Sequence, residues 1–440
     1  MTPEVGLAIL IGILAVAILI GVPIGFSLFF SSVVIILIDP GIDLIIIPII
    51  AMGRLRSFTL LAIPLFMYAA MLLNEYEFTG DIVDVSKILV GRLKAGLAHI
   101  NVVASMLFAG VSGSSAADTA GIGGILIPVM IKKGYSKSFS AAITAASSTI
   151  GNIIPPSIMM VVYGATAEIS VGALFIAGII PGILVGISQM GAAYVYGVKY
   201  GWETGDEGET IRQPVWEKLS VVIRKGFFPF TIFLIIIGGI IGGVFTATEA
   251  AAVAAAYTGI VGPLLFKRAR SLKAFYRAAK NAGILAAITY FAIIGASVFA
   301  WLLSYYRAID LTISIFNYFP LGQTSFLLLL ALIYLILGTF LDPIPIIVIM
   351  TPLVLPIADK LHIHPLLLGI VSVMSIRIGT VTPPYGISML VASGIAEIDP
   401  VEMFRDILIF TILFMVIVVL IIFFPEICLL IPKLAMPRFA

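Results

Sequence analysis

Long hydrophobic stretches without a charged residue dominate the pattern of this chain. Five of them span residues 5–38, 227–248, 281–306, 311–341 and 407–424. A helix needs roughly 20 residues to cross a hydrocarbon core of about 30 Å, so each stretch is long enough to do so. The first stretch is longer than a signal peptide and follows no basic segment, so we expect it to be a retained first helix. The pattern predicts an all-α, polytopic membrane protein.

Charged residues are scarce, and their placement indicates how the chain is oriented. They make up 11% of the 440 residues, against about 25% in soluble proteins. Residues 267–280 and 131–138 are basic and contain no acid, so the positive-inside rule places both on the cytoplasmic side. The single cysteine, Cys428, excludes a disulfide within the chain. The polar residues 203–218 are expected to link two membrane-embedded halves.

Two similar helix-breaking phrases interrupt the hydrophobic pattern. Residues 149–157 read TIGNIIPPS, and residues 377–385 read RIGTVTPPY. A proline inside a helix costs about 3 kcal/mol and a glycine about 1 kcal/mol. A backbone group left unpaired in lipid costs several kcal/mol more, so such a break must be buried in protein or line a watery cavity. Freed carbonyls and helix ends can then bind ions and anions. We expect the breaks to build ion and substrate sites.

The two phrases belong to a longer internal repeat. Three pairs share a spacing of 228 positions (383 − 155): Pro155 and Pro383, Pro128 and Pro356, and Gly151 and Gly379. Upstream of Pro128 and of Pro356 lies a segment rich in glycine, serine or threonine with one acid, at residues 110–121 and 337–345. The common spacing predicts two structural repeats, residues 1–198 and 219–440, joined by a polar linker at residues 199–218.

The loops that follow these segments indicate opposite orientations of the two repeats. Residues 131–138 carry three lysines and no acid, whereas residues 359–366 carry one lysine and one aspartate. Two cytoplasmic loops would both be basic. The asymmetry therefore favours an inverted repeat.

Six ionisable residues lie in or beside the apolar segments and are candidates for function. They are Asp118, Glu168, Glu249, Asp342, Arg377 and Glu397. Asp118 and Asp342 stand beside the polar breaks, where an aspartate either binds a ligand or caps a helix. Glu168 and Glu397 either act or mark helix ends at an interface. Arg377 corresponds to Thr149 in the first repeat, so it either neutralises an anionic substrate or forms a buried ion pair.

The sequence gives little support to an enzymatic function. Residues 110–113 read GVSG, as in rhomboid-type intramembrane proteases, which need a membrane-embedded histidine to activate the serine. The three histidines, His99, His362 and His364, follow a basic tract or flank a loop and are expected at interfaces. The sequence contains no nucleotide-binding or HExxH motif. Transport would therefore be secondary or driven by another chain.

Four segments resemble the large membrane subunit of the TRAP transporters (tripartite ATP-independent periplasmic transporters). They are residues 112–128 (SGSSAADTAGIGGILIP), 151–157 (GNIIPPS), 337–357 (LGTFLDPIPIIVIMTPLVLPI) and 378–395 (IGTVTPPYGISMLVASGI). The resemblance covers essentially the whole chain. It implies an inverted-repeat, elevator-type transporter with two re-entrant hairpins and two unwound Pro-Pro helices. Its scaffold would include amphipathic connecting helices near residues 80–98 and 271–282.

The resemblance also implies a function. The chain would be the transport subunit of a Na⁺-coupled secondary importer in a bacterial or archaeal cytoplasmic (inner) membrane. A periplasmic substrate-binding protein would deliver an organic-acid anion, and a small membrane subunit would brace the scaffold. A domain made of the hairpins and unwound helices would then carry the anion across as an elevator.

The family's sites carry over to matching positions of this sequence. Na⁺ binding, at two or more sites, falls on Ser112, Asp118, Gly151 and Asn152 in the first half and on Gly338, Thr339, Asp342, Gly379 and Thr382 in the second. The implied substrate contacts are Ser114, Ser115, Asn152, Pro155, Arg377, Thr380 and Thr382. Arg377 departs from the family pattern, in which this position is commonly uncharged.

Two other transport mechanisms stay open from the sequence. One is a Na⁺/dicarboxylate symporter or antiporter that works without a binding protein. The other is a proton-coupled carrier or channel that uses Asp118 and Asp342 as relay groups. The substrate is expected to be an anion, because helix N-termini and Arg377 both favour one.

Overall fold

Helices account for all the regular structure in the described part of the chain. The structure is a computed structural model that describes residues 1–112, 115–202, 214–318, 321–383 and 386–438. These residues contain no strand, and seven of their helices are long and apolar enough to cross a membrane. The predicted class of an all-α polytopic membrane protein is therefore confirmed.

The first half of the chain forms ten α-helices among its described residues. They are Pro3–Leu19, Ile24–Ile38, Ile46–Leu55, Ala62–Glu75, Phe78–Val90, Gly96–Ser112, Ser115–Lys132, Lys137–Ser148, Ile158–Ala167 and Val171–Tyr200. The expectation of one helix over residues 5–38 was wrong, because a turn divides this stretch. Gly21 takes a left-handed φ of 84°, and Pro23, which has no N–H, stands just before the second helix.

The second half contains eleven described α-helices. They are Val215–Ile241, Ala247–Ala256, Gly262–Leu265, Leu272–Tyr305, Ala308–Tyr318, Gln323–Phe340, Pro343–Lys360, Pro365–Gly379, Ile387–Ala396, Phe404–Phe423 and Glu426–Ala435. The expected connecting helix at residues 271–282 and the span at 281–306 form one continuous helix, Leu272–Tyr305. No proline interrupts this segment, and Ser271 caps its start by accepting a hydrogen bond from the Ala274 N–H.

Two helical hairpins occupy corresponding places in the two halves. Hairpin 1 consists of Gly96–Ser112 and Ser115–Lys132, and hairpin 2 of Gln323–Phe340 and Pro343–Lys360. Their second arms begin 228 positions apart (343 − 115) and end 228 positions apart (360 − 132). The spacing found in the sequence is thus also the spacing of these helix bounds.

A broken helix follows each hairpin. The first broken helix is Lys137–Ser148, a 3₁₀ turn at Thr149–Asn152, and Ile158–Ala167; the second is Pro365–Gly379 and Ile387–Ala396. Their first parts start 228 positions apart (365 − 137), and their second parts start 229 positions apart (387 − 158). The extra residue therefore lies in the break. The inversion of the halves and the division at residues 198 and 219 stay predictions.

Two groups of helices can be distinguished, and they also pack on each other, as Phe78–Val90 does on Gly96–Ser112 and Leu272–Tyr305 on Pro343–Lys360. The core unit comprises the hairpins, the broken helices and the helices that follow them, Val171–Tyr200, Phe404–Phe423 and Glu426–Ala435. The scaffold comprises the helices within residues 3–90 and 215–318, of which Ala62–Glu75 and Leu272–Tyr305 pack on each other. The first parts of both broken helices are almost completely buried, so they form the centre of the molecule.

Hairpin 2 touches the second broken helix backbone to backbone. A Cβ added at Gly338 would lie 2.4 Å from the carbonyl oxygen of Ile376, and one added at Gly379 would lie 2.6 Å from the Cα of Gly338. Side chains larger than hydrogen do not fit between these helices. Both glycines, which were predicted to serve a cation site, therefore also set the spacing of this contact.

We expect Gly338→Ala to lower stability by about 1–3 kcal/mol, because the added methyl group overpacks a rigid backbone contact. Gly283→Ala is the matched control, since its added Cβ would meet nothing within 4 Å and alanine favours the helix. Thermal unfolding of both purified variants in KCl measures the difference. Equal melting temperatures for the two variants would contradict the packing argument.

Candidate functional site

The first break is buried and internally hydrogen-bonded. The chain tightens into the 3₁₀ turn Thr149–Asn152, and all residues from 149 to 157 are buried. Ser157 caps the resumed helix: its Oγ accepts from the Met160 N–H at 3.3 Å and donates to the Asn152 carbonyl at 2.6 Å. Gly151, Asn152 and Pro155 thus lie in the protein interior, as helix-breaking residues within a membrane must.

Two threonines of the second break donate their hydroxyl hydrogens to backbone carbonyls of the preceding helical turn. Thr380 Oγ1 donates to the Arg377 carbonyl at 2.8 Å, and Thr382 Oγ1 donates to the Ile378 carbonyl at 2.7 Å. An oxygen whose hydrogen is already donated presents only lone pairs to other groups. These two oxygens are therefore suited to accept from a donor or to face a cation. Pro384 and Tyr385 lie outside the described residues.

The tip of hairpin 1 is held by both broken helices. The Ser115 N–H donates to Asn152 Oδ1 at 3.2 Å. Its Oγ accepts a hydrogen bond from Arg377 Nη2 and another, at 3.3 Å, from Ser388 Oγ. Ser115 therefore joins residues from the two halves of the chain at one point. Ser114, predicted beside it, lies outside the described residues.

The tip of hairpin 2 carries an acid with a structural task. Asp342 Oδ1 accepts from the Ile344 N–H at 3.1 Å and so caps Pro343–Lys360. Of the two roles considered for Asp342, helix cap and ligand binding, the structure shows the helix cap. The residue also lines a cavity. Thr339 donates to the Leu335 carbonyl at 3.0 Å within the first arm.

A cavity of about 260 Å³ lies between the core unit and the scaffold. Five of the predicted residues line it: Ser115, Asn152, Asp342, Arg377 and Thr380. The structure places other predicted residues away from its lining, namely Asp118, Gly151, Pro155, Gly338, Thr339, Gly379 and Thr382. Ser112 ends the first arm of hairpin 1. Five residues to which the family resemblance assigned a substrate or Na⁺ role thus lie at one cavity, and the roles themselves stay predictions.

Arg377 brings positive charge to this wall. It is 5% exposed, and its Nε has no hydrogen-bond partner among the described residues. The carboxylates of Asp342 and Asp118 act on it electrostatically, but the ion pairs within 4.0 Å between described residues do not include it. A guanidinium taken out of water needs partners for its donors. Arg377 therefore places an incompletely paired cation at the cavity wall.

The scaffold forms the opposite wall, which the sequence reasoning missed. Met67, Ala70, Met71 and Asn74 line the cavity from Ala62–Glu75, and Leu285, Ile288 and Thr289 line it from Leu272–Tyr305. Their spacing of three and four residues places each set on one face of its helix. Neither helix contains a break. Only the polar residues Thr289, within an apolar stretch, and Asn74, at the end of one, could have indicated this wall.

A buried polar network also escaped the sequence reasoning. Asn101 Nδ2 donates to Thr144 Oγ1 at 2.7 Å, and its Oδ1 accepts from Ser147 Oγ at 3.1 Å. Ser105 Oγ donates to Ser147 Oγ at 2.9 Å. All four side chains are buried, so the network fixes hairpin 1 on the first broken helix.

Comparison with known proteins places the chain in a family. Residues 11–427 match the family described as "Tripartite ATP-independent periplasmic transporter, DctM component". The chain belongs to this family. It is therefore a multi-pass membrane protein and a large permease subunit of a TRAP transporter, as the four sequence segments predicted.

Relatives of known sequence and structure agree with this assignment. The chain is 32% identical over 414 residues to the sialic acid TRAP transporter large permease SiaM of Vibrio cholerae, covering 94% of this chain and 95% of SiaM. It is 34% identical to the C4-dicarboxylate TRAP transporter large permease DctM of Pseudomonas aeruginosa, covering 86% and 87%. Permease relatives favour a transporter over the intramembrane protease.

The fold itself is similar to a solved structure. The YdaH transporter of Alcanivorax borkumensis superposes with a TM-score of 0.58 at 14% identity, covering 84% of this chain and 86% of YdaH. At this identity the similarity concerns the fold alone.

We expect Asn152→Ala to destabilise the TRAP permease by about 1–3 kcal/mol, because it leaves the buried Ser115 N–H without its acceptor. Unfolding should be measured in KCl, so that lost Na⁺ binding does not contribute. Asn281→Ala, on the exposed surface of Leu272–Tyr305, is the control. A loss no larger than that of the control would show that Asn152 does not hold the hairpin tip.

Proposed function

We propose that this TRAP permease imports a small organic-acid anion together with Na⁺, by an elevator movement of the core unit against the scaffold. The observation that carries the proposal is the cavity between the two units, in which Arg377 faces Ser115, Asn152 and Thr380. A cation with hydrogen-bonding neighbours can bind a carboxylate through charge-assisted hydrogen bonds. The names of SiaM and DctM, which refer to sialic acid and C4-dicarboxylates, support an acid as substrate.

The size of the cavity favours a small acid. Ligand pockets commonly measure about 300–1,000 Å³. The cavity of about 260 Å³ is slightly smaller than this range. We therefore place the substrate nearer in size to a C4-dicarboxylate than to a sialic acid.

Na⁺ coupling is supported by the oxygen-rich chemistry of the breaks. The described residues contain no group of three or more His, Cys, Asp or Glu side chains that could hold a metal ion. Backbone carbonyls freed at broken helices are the usual ligands of coupling cations in transporters. We propose two Na⁺ sites at the predicted positions, one at the first break and hairpin 1, the other at Gly338, Thr339, Asp342, Gly379 and Thr382.

The family description implies the partners. A tripartite periplasmic transporter joins the large permease to a periplasmic substrate-binding protein and to a small membrane subunit. We propose that this chain works with both, in the inner membrane of a bacterium. The exposed apolar faces of the scaffold helices would lie against lipid or the small subunit.

We expect the purified chain to melt at a higher temperature in NaCl than in KCl at equal ionic strength, without any acid present. Binding stabilises the folded state by RT ln(1 + [L]/Kd), about 1.4 kcal/mol at ten times Kd. Thr382→Val, which removes one lone-pair oxygen, should reduce this Na⁺ shift, while Thr312→Val on the scaffold should keep it. A shift that depends on pH and not on Na⁺ would instead support proton coupling.

We expect Arg377→Lys and Arg377→Gln to weaken acid binding at least about tenfold, since a hydrogen bond to a charged group contributes roughly 1.5–3 kcal/mol. Titration of succinate in NaCl, followed by the melting temperature, measures the effect. The Na⁺ shift should persist in both variants, which shows that they fold. Arg277→Gln, which removes a scaffold ion pair with Glu75, is the control. Unchanged acid affinity in both Arg377 variants would exclude Arg377 as the anion-binding group.

A further inference from the structure

One hydroxyl group on the scaffold wall of the cavity has no hydrogen-bond partner among the residues that the structure describes. Thr289 is 7% exposed and lines the cavity from Leu272–Tyr305. Other helical threonines donate to the carbonyl four residues earlier, as Thr258 does to Ala254 and Thr312 to Ala308, both at 2.8 Å. The hydrogen bonds between described residues include none to or from the Thr289 side chain. The Thr289 Oγ1 atom is not among the enclosed unpaired atoms of the described residues, so it is open to the cavity, where a ligand or water can supply its hydrogen bond.

The apolar surroundings of Thr289 make its hydroxyl a place where a polar group of a ligand could be recognised. Its neighbours on the same helix face, Leu285 and Ile288, are apolar, as are Met67, Ala70 and Met71 on the adjacent helix. A single hydroxyl in an apolar wall offers one hydrogen bond at one defined place. In contrast, the opposite wall carries Arg377 and several polar side chains.

Asn74, the other polar residue of the scaffold wall, has a different setting. Its Oδ1 accepts a hydrogen bond from Thr79 at 3.4 Å, and the residue is exposed and also borders a neighbouring cleft. The helix Ala62–Glu75 runs antiparallel to Leu272–Tyr305, because Tyr290 bonds to the Leu60 carbonyl and Arg277 to Glu75. Asn74 and Thr289 therefore lie toward opposite ends of the cavity, and water can reach Asn74.

We propose that Thr289 is a specificity-determining residue that binds a second polar group of the substrate, opposite the carboxylate held by Arg377. The inference rests on the proposed function of the cavity and narrows its substrate class. The preferred ligand is a small organic acid with a hydroxyl or a second carboxylate at its other end. A threonine hydroxyl can donate to a carboxylate and accept from a hydroxyl, so it serves both kinds of acid.

This arrangement has a consequence for transport. Arg377 belongs to the core unit and Thr289 to the scaffold, so a bifunctional acid bridges the two units. Movement of the core unit separates the two contacts. The hydroxyl of Thr289 therefore adds affinity only while the units stand in this relative position.

The test compares acids that differ at one end. Succinate and malate carry a second polar group, whereas butyrate carries a methyl group at that place; N-acetylneuraminate and 2-hydroxyethanesulfonate extend the panel. Each is titrated in NaCl against the purified permease, and the melting temperature gives the affinity. The variants are Thr289→Val, which keeps the shape without the hydroxyl, Thr289→Ser, which keeps the hydroxyl, and Arg377→Lys. Thr231→Val, on a half-buried scaffold position where the hydroxyl donates to the Phe227 carbonyl of its own helix, is the control.

We expect Thr289→Val to weaken binding of the preferred bifunctional acid about three- to tenfold where Thr289 binds a hydroxyl, the loss of one neutral hydrogen bond, and at least about tenfold where it binds a carboxylate. Thr289→Ser and Thr231→Val should bind like the parent protein, and butyrate should bind equally to the parent and to Thr289→Val. Affinity within twofold in Thr289→Val, together with a loss in Arg377→Lys, would overturn the role of Thr289 while leaving the proposed function intact. If no acid of the panel shifts the melting temperature of the parent protein, both proposals fail.

Discussion

A membrane offers no water to a broken helix, and the architecture of this protein depends on that constraint. Each unpaired backbone group in hydrocarbon is strongly unfavourable, so both breaks have to be enclosed by protein. The first break is buried from residue 149 to residue 157, and the helix that leads to the second is buried from Leu366 to Gly379. The broken helices pack against the hairpins and against Val171–Tyr200 and Phe404–Phe423, and scaffold helices pack on the hairpins. The polar cavity is a consequence of the breaks, because an apolar chain can expose polar groups inside the protein where its helices are interrupted.

The two halves share helix bounds but differ in chemistry, and the site depends on the difference. The second half contributes Arg377 where the first half has Thr149. The partner of Arg377, Ser115, comes from hairpin 1, and the partner of Ser115, Asn152, comes from the first break. An anion bound at Arg377 would therefore act, through these hydrogen bonds, on the tip of hairpin 1 and on both breaks. This connection gives a physical route by which cation sites at the breaks and an anion site could influence each other.

The cavity also has two chemically different walls. The core unit supplies the charge and most of the polar groups, while the scaffold supplies mainly apolar side chains. A mainly apolar wall makes few directional contacts with the polar wall opposite, so the two walls can move apart without breaking many hydrogen bonds. Such an interface suits the proposed elevator movement. The hydroxyl of Thr289 is an exception in this wall, and for that reason it can contribute to selectivity.

The sequence by itself determined the class, the two breaks, their common spacing and the family, because these depend on local composition and on helix-breaking residues. It also located Ser115, Asn152, Asp342, Arg377 and Thr380, which line one cavity. Only the tertiary structure decided that residues 5–38 turn back on themselves, that Gly338 is a packing contact and that Thr289 faces the site. The scaffold wall could not be predicted from the sequence, since it arises where two helices that are distant in the chain meet. A sequence pattern indicates whether a segment must be buried or can face lipid. Which other segment buries it is decided only by the packing of the helices.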